Sequence, residues 1–405
     1  MSGVSSDATG TPRAAPAPAW DRFAHWTRTE ARVLVAAFLV LLACAPFAPI
    51  TSIKPGSPAA LEAELEAHGK PKPKPPAVKQ RDEDLKLYDT IIARLRHGEH
   101  YYDFVVALQR KSDYPVRPGV AVRLPTLAWL EAGLGDTGTK AALLALMAAA
   151  LAAWWRRLGD DPALAPHRAL ATAILFVGSS LCLNSYYNVV HEVWSGELML
   201  MAMALYRPSR IAAERRWLGA WLALAAALAI REHSAPLLLV FAASALWQRA
   251  WRELAGWGLL LALFAAVMAV HLHLVAAHIL PSDPLSESWI TLRGLGGWLS
   301  TIVLSSQATR LPTWLSGPLV LLTMLGWAGW RTRLGEIGFL FYFGMAAALM
   351  IVGRPDNFYW GFALVPAFFV PLVLLPRVLR SLWLSAFAPR GEARPSPLPG
   401  SPATA

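Results

Sequence analysis

Residues 81–130 read RDEDLKLYDTIIARLRHGEHYYDFVVALQRKSDYPVRPGVAVRLPTLAWL and form the long polar stretch between the hydrophobic spans of this 405-residue chain. An acidic cluster of Asp82, Glu83 and Asp84 opens it. The residues that follow are apolar at spacings of three and four and charged on the other side, which predicts an amphipathic helix. Tethered beside a membrane span, such a helix is expected to lie on the bilayer surface. Its carboxylates would then sit at the boundary between water and lipid.

The composition is that of a polytopic membrane protein. Apolar residues make up 55% of the chain and charged residues 16%, and the mean hydropathy is +0.40. The net charge of +10 does not indicate nucleic-acid binding, because the basic residues fall in short clusters between apolar runs, as lipid topology requires. Cys44 and Cys182 lie inside hydrophobic runs without partner spacing, so neither a disulfide framework nor a thiolate metal site is predicted.

The fold class predicted from this pattern is an all-α polytopic membrane protein of about ten transmembrane helices, with both termini cytoplasmic. We expect disordered cytoplasmic tails at 1–30 and 381–405 and a membrane domain at 31–380. A large first extracytoplasmic loop, 51–138, is expected to carry amphipathic surface helices. Within it we predict a short helix from Ser57 to Gly69, an extended spacer at 70–76 and a helix from Tyr101 to Arg110.

The expected crossings are runs of apolar residues that end in arginine-rich turns on one side. They cover 33–50, a run from 141, 169–183, 193–206, 217–230, 235–247, 256–280, 315–330, 337–352 and 358–375, with a surface or re-entrant helix at 289–305. Four middle runs hold only about 13 to 15 residues, or about 20 Å of helix, against about 30 Å of hydrocarbon. Either they extend through their polar ends or their outward joints dip into a polar cavity, and we favour the cavity.

Four polar groups fall on the predicted outer side, and they are the candidate site. They are Asp82–Asp84, His191 with Glu192, Arg231 with Glu232 and His233, and Arg354 with Asp356 and Asn357. A carboxylate at the membrane surface suits removal of a proton from a hydroxyl acceptor, and arginines suit a phosphate leaving group. We therefore expect Asp84, Glu83 or Asp82 to be catalytic. The expected substrate-binding residues are His191, Glu192, Arg231, Glu232, Arg354, Asn357 and Arg123.

Structural interpretations of the same residues stay open at this point. Asp84 could simply be the N-cap of the helix, a position that aspartate favours. Glu192 and His191 are placed to brace Arg231 between adjacent spans, and Arg231 with Glu232 could be a self-satisfied pair. No metal-ligand spacing is present, since His271, His273 and His278 do not share a helix face.

The acidic residues of the first external loop, with Tyr88 four residues after Asp84, resemble the GT-C superfamily of polyprenyl-phosphate-sugar-dependent glycosyltransferases. The segments HEVWSGELML (191–200), AIREHSAPLLL (229–239) and GRPDNFYWGFALVP (353–366) are more narrowly similar to bacterial membrane proteins tied to cell-surface glycopolymer formation. The resemblance in layout runs from about residue 33 to 380. It implies an inverting transferase of the inner membrane in cell-envelope polysaccharide biosynthesis, with Asp84 or a neighbouring acid as the base. Families of this kind differ in their need for a divalent cation, and no other cofactor is expected.

The implied partners are a polyprenyl-phosphate-linked sugar, a glycan or lipid acceptor and the bilayer. Other functions fit the same basic cavity. A transporter or flippase of a lipid-linked sugar would use it without a base, but the chain has no repeated halves and no matched glycine- or proline-broken spans. A noncatalytic subunit of a polysaccharide assembly complex would tolerate substitution of the acids. A polymerase or ligase with a lipid-diphosphate donor also stays open.

Overall fold

The structure is a computed structural model that describes residues 18–52, 81–207 and 216–388. The helix expected after Ser57 and the spacer at 70–76 lie outside the described residues, as do parts of both predicted tails. The described chain is all-helical, as expected. Its α-helices are α1 Arg28–Cys44, α2 Glu83–Arg96, α3 Tyr101–Lys111, α4 Thr126–Asp160, α5 Arg168–Gly178, α6 His191–Leu205, α7 Leu218–Ile230, α8 Ala235–Trp247, α9 Trp251–Ala276, α10 Gly294–Leu304, α11 Thr313–Gly329, α12 Arg333–Ile351, α13 Val365–Phe368 and α14 Leu375–Phe387.

Five helical segments of the described chain are long and apolar enough to cross a membrane. They are Arg28–Phe47, Gly119–Asp160, Trp251–Ala276, Arg333–Ile351 and Val365–Phe387. The helices α5 to α8 fall at the predicted short runs and hold 11, 15, 13 and 13 residues. A membrane protein is thus supported, and the number of ten crossings stays a prediction.

Helices α2 and α3 form where the amphipathic pattern predicts them, but the apolar face of α2 does not lie open for lipid. Leu85, Leu87, Ile91 and Ile92 are buried, and α2 packs against α4. Together with apolar residues of α3, α4 and α6 they belong to one hydrophobic cluster. A second cluster fills the rest of the helical bundle. The amphipathic pattern correctly predicts a helix with one buried face. That face is buried by other helices of the protein and not by the bilayer.

Helix α4 begins earlier than the sequence suggests. The predicted loop limit at 138 and the span start at 141 both fall inside this helix, which begins at Thr126. It kinks at Gly135, whose φ of 66° lies in the left-handed region that glycine adopts without strain. Before the kink, the carbonyl of Glu131 in α4 accepts a hydrogen bond from Arg96 of α2 at 3.3 Å.

The predicted last span, 358–375, is wrong as a single helix. The chain there forms a 3₁₀ segment, Pro355–Ala363, followed by the short α13 and a second 3₁₀ segment, Val370–Leu374, before α14. Pro366, Pro371 and Pro376 open successive pieces, and each lacks the amide hydrogen that a continuous helix needs. The segment that suits a membrane is instead Val365–Phe387.

Ordered structure extends past both expected limits of the membrane domain. Helix α14 continues to Phe387, beyond the boundary at 380, and Asp21 and Phe23 are fully buried before the boundary at 30. The carboxylate of Asp21 accepts hydrogen bonds from Arg377 at 2.9 Å and from Ser381 at 2.5 Å. The start of the described chain is therefore fixed to its last helix.

Candidate functional site

One large cavity, of about 1260 Å³, lies between α2, the start of α6, the turn Arg231–His233 that joins α7 to α8, and the 3₁₀ segment Pro355–Ala363. Although the predicted site residues come from five separate parts of the sequence, all of them line it. They are Asp82, Glu83, Asp84, Arg123, His191, Glu192, Arg231, Glu232, Arg354 and Asn357. The fold thus brings the four predicted polar groups together, while the chemical role of each residue stays a prediction.

The three acids at the start of α2 have different environments. Asp82 is the N-cap, and its carboxylate accepts a hydrogen bond from the backbone N–H of Asp84 at 3.0 Å. Asp82 and Glu83 are exposed, whereas Asp84 is half-buried and accepts a hydrogen bond from Tyr114. The capping role that Asp84 could have filled therefore belongs to Asp82.

Burial raises the pKa of the Asp84 carboxyl above its ordinary value. The hydrogen bond from Tyr114 and the charge of Arg123 act in the opposite direction, and the negative charges of Asp82 and Asp356 add to the rise. Burial also raises the pKa of the Tyr114 hydroxyl, so this side chain stays a proton donor. The raised pKa makes Asp84 a stronger base than an ordinary aspartate.

Deep in the cavity lies a group of four charged residues, Glu192, Arg231, Glu232 and Arg123, here called the floor network. Arg231 is fully buried and donates from Nε to Oε1 of Glu192 at 2.7 Å and from Nη1 to Oε1 of Glu232 at 2.5 Å. Arg123 approaches the same Glu232 oxygen at 3.9 Å. The ion pairs of Arg231 with Glu192 and with Glu232 that the sequence offered as alternatives are therefore both present, while Nδ1 of His191 and Nη2 of Arg231 make no hydrogen bond to a described residue.

Charges within the floor network affect the ionisation of Glu232 and of the neighbouring His233. Burial alone would raise the pKa of the Glu232 carboxyl, but Arg231 and Arg123 outweigh it and hold that pKa at about 2. Burial and the charge of Arg231 lower the pKa of His233 to about 3, so its ring is neutral at physiological pH. The floor network thus pairs two carboxylates with two guanidinium groups.

Helix ends and a fixed loop bring the floor network together. His191 and Glu192 form the first turn of α6, and Arg231 directly follows the end of α7, which packs along α6. The loop before α4 is held beside Arg123, because Tyr101 Oη donates to the Arg123 carbonyl at 2.7 Å. One residue earlier, the carbonyl of Val122 lies 3.0 Å from Nε2 of His271 in α9. Arg123 is therefore fixed by contacts of its own backbone and its neighbour's.

Two arginines lie nearer the mouth of the cavity. Arg354 is 3.5 Å from Asp356, and its backbone N–H donates to Oδ1 of Asn357 at 3.1 Å. Arg310 is exposed at the end of the 3₁₀ turn after α10 and has no ion pair or hydrogen bond within the part of the chain that the structure describes. We call Arg310 and Arg354 the rim arginines. Besides the whole guanidinium of Arg310, Nε of Arg354 lacks a hydrogen-bond partner among the described residues.

One side of the cavity is apolar. Its wall combines the ends of α5, of α10 and of the 3₁₀ segment Pro355–Ala363 with the start of the last membrane segment: Val177, Gly178, Leu304, Phe362 and Val365. Val177 is exposed, and hydrogen bonds of 3.1 Å from Gln307 to Ser180 and of 2.7 Å from Ser305 to the Phe358 carbonyl join the segments beside this wall. This apolar part of the lining suits a hydrocarbon chain, and acids and arginines line other parts of the same cavity.

Several cavity residues were not identified from the sequence. Arg310 and Tyr114 stand in ordinary polar stretches, where nothing distinguishes them from solvated residues. Glu131 is one acid in a largely apolar helix, and that contrast could have drawn attention to it. It is buried on the cavity side of α4, and its Oε1 has no hydrogen-bond partner in the described chain.

Within residues 18–52, 81–207 and 216–388, no group of three or more His, Cys, Asp or Glu side chains is arranged to hold a metal ion. In comparisons with known proteins, no family model, curated protein or solved structure matches the chain.

Proposed function

We propose that this protein is a bacterial inner-membrane glycosyltransferase of the GT-C type. It moves a sugar from a polyprenyl-phosphate donor to a cell-envelope glycan or lipid acceptor on the extracytoplasmic side. The observation that carries the proposal is that one cavity combines a half-buried carboxylate, Asp84, with the unpaired Arg310 and an apolar wall. A base, a phosphate ligand and a surface for a lipid tail are the three parts this reaction needs.

In the proposed reaction Asp84 takes the proton of the acceptor hydroxyl. The hydroxyl oxygen forms a bond to the anomeric carbon of the sugar while the bond from that carbon to the phosphate oxygen breaks. The electron pair leaves with the phosphate, whose added negative charge is stabilised by Arg310 together with Arg354. A single displacement of this kind inverts the anomeric configuration.

The same proposal includes ten crossings with both termini in the cytoplasm. The short helices α5 to α8 then end at the cavity, so that Glu192 and Arg231 are reached by water and substrate and are not exposed to lipid. Their mutual ion pair and their place in the lining of the cavity support this arrangement.

Cells that lack the gene provide the test. Their surface glycolipids and polysaccharides are compared by mass spectrometry after complementation with wild type, Asp84→Asn or Asp82→Asn at matched expression. Asparagine caps a helix as well as aspartate does, so Asp82→Asn is the matched control. Wild type and Asp82→Asn are expected to restore the missing sugar, and Asp84→Asn is expected to fail. Full restoration by Asp84→Asn would show that Asp84 is not the catalytic base. Transport or scaffolding would then be the better explanation.

A further inference from the structure

The floor network is electroneutral, and that limits the ligand group it accepts. Glu192 and Glu232 balance Arg231 and Arg123, and the neighbouring His233 is uncharged. Since each positive charge already has a carboxylate beside it, the floor gives no net attraction to an anion. A ligand that carries a negative group besides its phosphate would bring that group close to both carboxylates. An uncharged polar group meets no such repulsion.

Hydrogen-bonding atoms on the floor nevertheless lack partners. Nη2 of Arg231 and Nδ1 of His191 are buried and make no hydrogen bond to any described residue. Arg231 is 0% exposed and His191 5% exposed, and both line the cavity. Leaving buried polar atoms unsatisfied is unfavourable, so these two atoms favour a ligand that brings oxygen atoms to them. Carboxylate oxygens of Glu192 and Glu232 lie beside them as acceptors for hydroxyl donors.

Aromatic rings surround the same floor. The ring of Tyr88 lies 5.1 Å from that of His191, and the ring of Trp360 lies 4.4 Å from that of His233. Tyr359 also lines the cavity here. Apolar ring faces next to both donors and acceptors match a sugar ring, which presents C–H groups on its faces and hydroxyls at its edge.

We propose that the floor network binds the transferred sugar itself and that this sugar is uncharged, while the phosphate stays at the rim arginines. This inference rests on the proposed function, which it makes more specific. Arg231, Glu192 and His191 form hydrogen bonds with the hydroxyls of the sugar. A uronic acid is rejected because its carboxylate would lie against Glu192 and Glu232.

Binding to the purified full-length protein in lipid nanodiscs tests the inference without any need for transfer. The probes are citronellyl phosphate, the same lipid phosphate carrying glucose or galactose, and its glucuronate and galacturonate counterparts. Affinities are measured by isothermal titration calorimetry. At least one neutral sugar is expected to bind ten times more tightly than its uronate and than bare citronellyl phosphate. Equal affinities within each pair, or equal affinity for the bare lipid phosphate, would overturn the inference.

A variant adds an independent check. Glu232→Gln keeps the shape of the side chain and removes one negative charge, so the preference for the neutral sugar over its uronate is expected to fall at least tenfold. Asp356→Asn at the rim is the control, because it should change the affinities for all five probes by a similar factor. An unchanged preference in Glu232→Gln, measured on protein that unfolds at the wild-type temperature, contradicts the inference.

The two proposals fail separately. Selective binding of a neutral sugar without transfer to any acceptor would refute the transferase and leave the floor inference standing. Transfer of sugar without a preference for the neutral sugar over its uronate would support the transferase and refute the floor inference.

Discussion

Arg231 donates a hydrogen bond from Nε to Oε1 of Glu192 over 2.7 Å, and both side chains are buried where α6 begins and α7 ends. Removing one member of such a pair leaves an uncompensated buried charge. We expect Arg231→Met to destabilise the protein by about 3–5 kcal/mol. Glu192→Gln should cost less, because Arg231 keeps its contact with Glu232.

Thermal unfolding in one detergent measures both changes and the double variant. Glu192→Gln combined with Arg231→Met should be more stable than Arg231→Met alone. A single Arg231→Met variant as stable as wild type would show that the pair does not hold α6 and α7 together.

The pH dependence of transfer should report the environment of Asp84. Because burial raises the pKa of its carboxyl, the acid limb of the rate profile should lie above the value of about 3.9 for a free aspartate. The hydrogen bond from Tyr114 stabilises the ionised form and lowers this pKa. In Tyr114→Phe the pKa therefore rises further, and the acid limb moves to higher pH.

Initial rates of sugar transfer between pH 4 and 9 measure this shift. Tyr102→Phe is a suitable control, since Tyr102 pairs with His271 and does not line the cavity. A profile that moves to lower pH in Tyr114→Phe contradicts the assignment of Asp84 as the base.

Arg310→Gln should weaken binding of the lipid phosphate. A hydrogen bond to a charged group contributes about 1.5–3 kcal/mol, so KM for the donor should rise by roughly 10- to 100-fold. The matched control is Arg380→Gln, which removes an exposed arginine of α14 that does not line the cavity. Donor titrations at saturating acceptor separate KM from kcat. A donor KM that does not change in Arg310→Gln would place the phosphate elsewhere.

Packing behind the floor network depends on Gly196. A Cβ atom at this position of α6 would lie 2.8 Å from the carbonyl oxygen of Phe362 and 2.9 Å from Cα of Ala363, both in the backbone of the 3₁₀ segment Pro355–Ala363. Gly196→Ala should therefore force the two elements apart and destabilise the protein by about 1–3 kcal/mol.

Gly344→Ala in α12 is the counterpart, because a Cβ there meets no atom within 4 Å. It should leave stability unchanged or raise it by about 0.5–1 kcal/mol, as alanine is the better helix former. Thermal unfolding of the two variants side by side decides the matter. Equal melting temperatures would show that α6 and the 3₁₀ segment can separate freely.

The sequence predicts the polar joints of the cavity well because charge is unusual between apolar runs. Glu192 and Arg231 stand out for that reason, and their positions at adjacent span ends already suggest the ion pair. Arg310 has no such contrast with its neighbours, so only the fold reveals that it faces the cavity. The amphipathic pattern of α2 indicates that one face is covered, but the same pattern serves a protein core and a lipid surface.

The error in the last span has a different cause. Hydropathy treats 358–375 as one apolar run, while backbone hydrogen bonding divides it at Pro366 and Pro371. Fold class and helix positions follow from local patterns of this kind. The partners of each helix depend on contacts between distant segments, which no local pattern contains.

Helices α7 and α8 contain 13 residues each, so each is about 20 Å long, and Leu222 and Leu239 are exposed on their outer surfaces. In the proposed topology both helices cross a hydrocarbon layer of about 30 Å, which exceeds this length, so the bilayer beside the hairpin would have to thin. Each ångström of mismatch costs a fraction of a kcal/mol. The acyl-chain length of the surrounding lipids would then set how far Arg231 lies below the headgroups, and bilayer thickness would control access to the cavity.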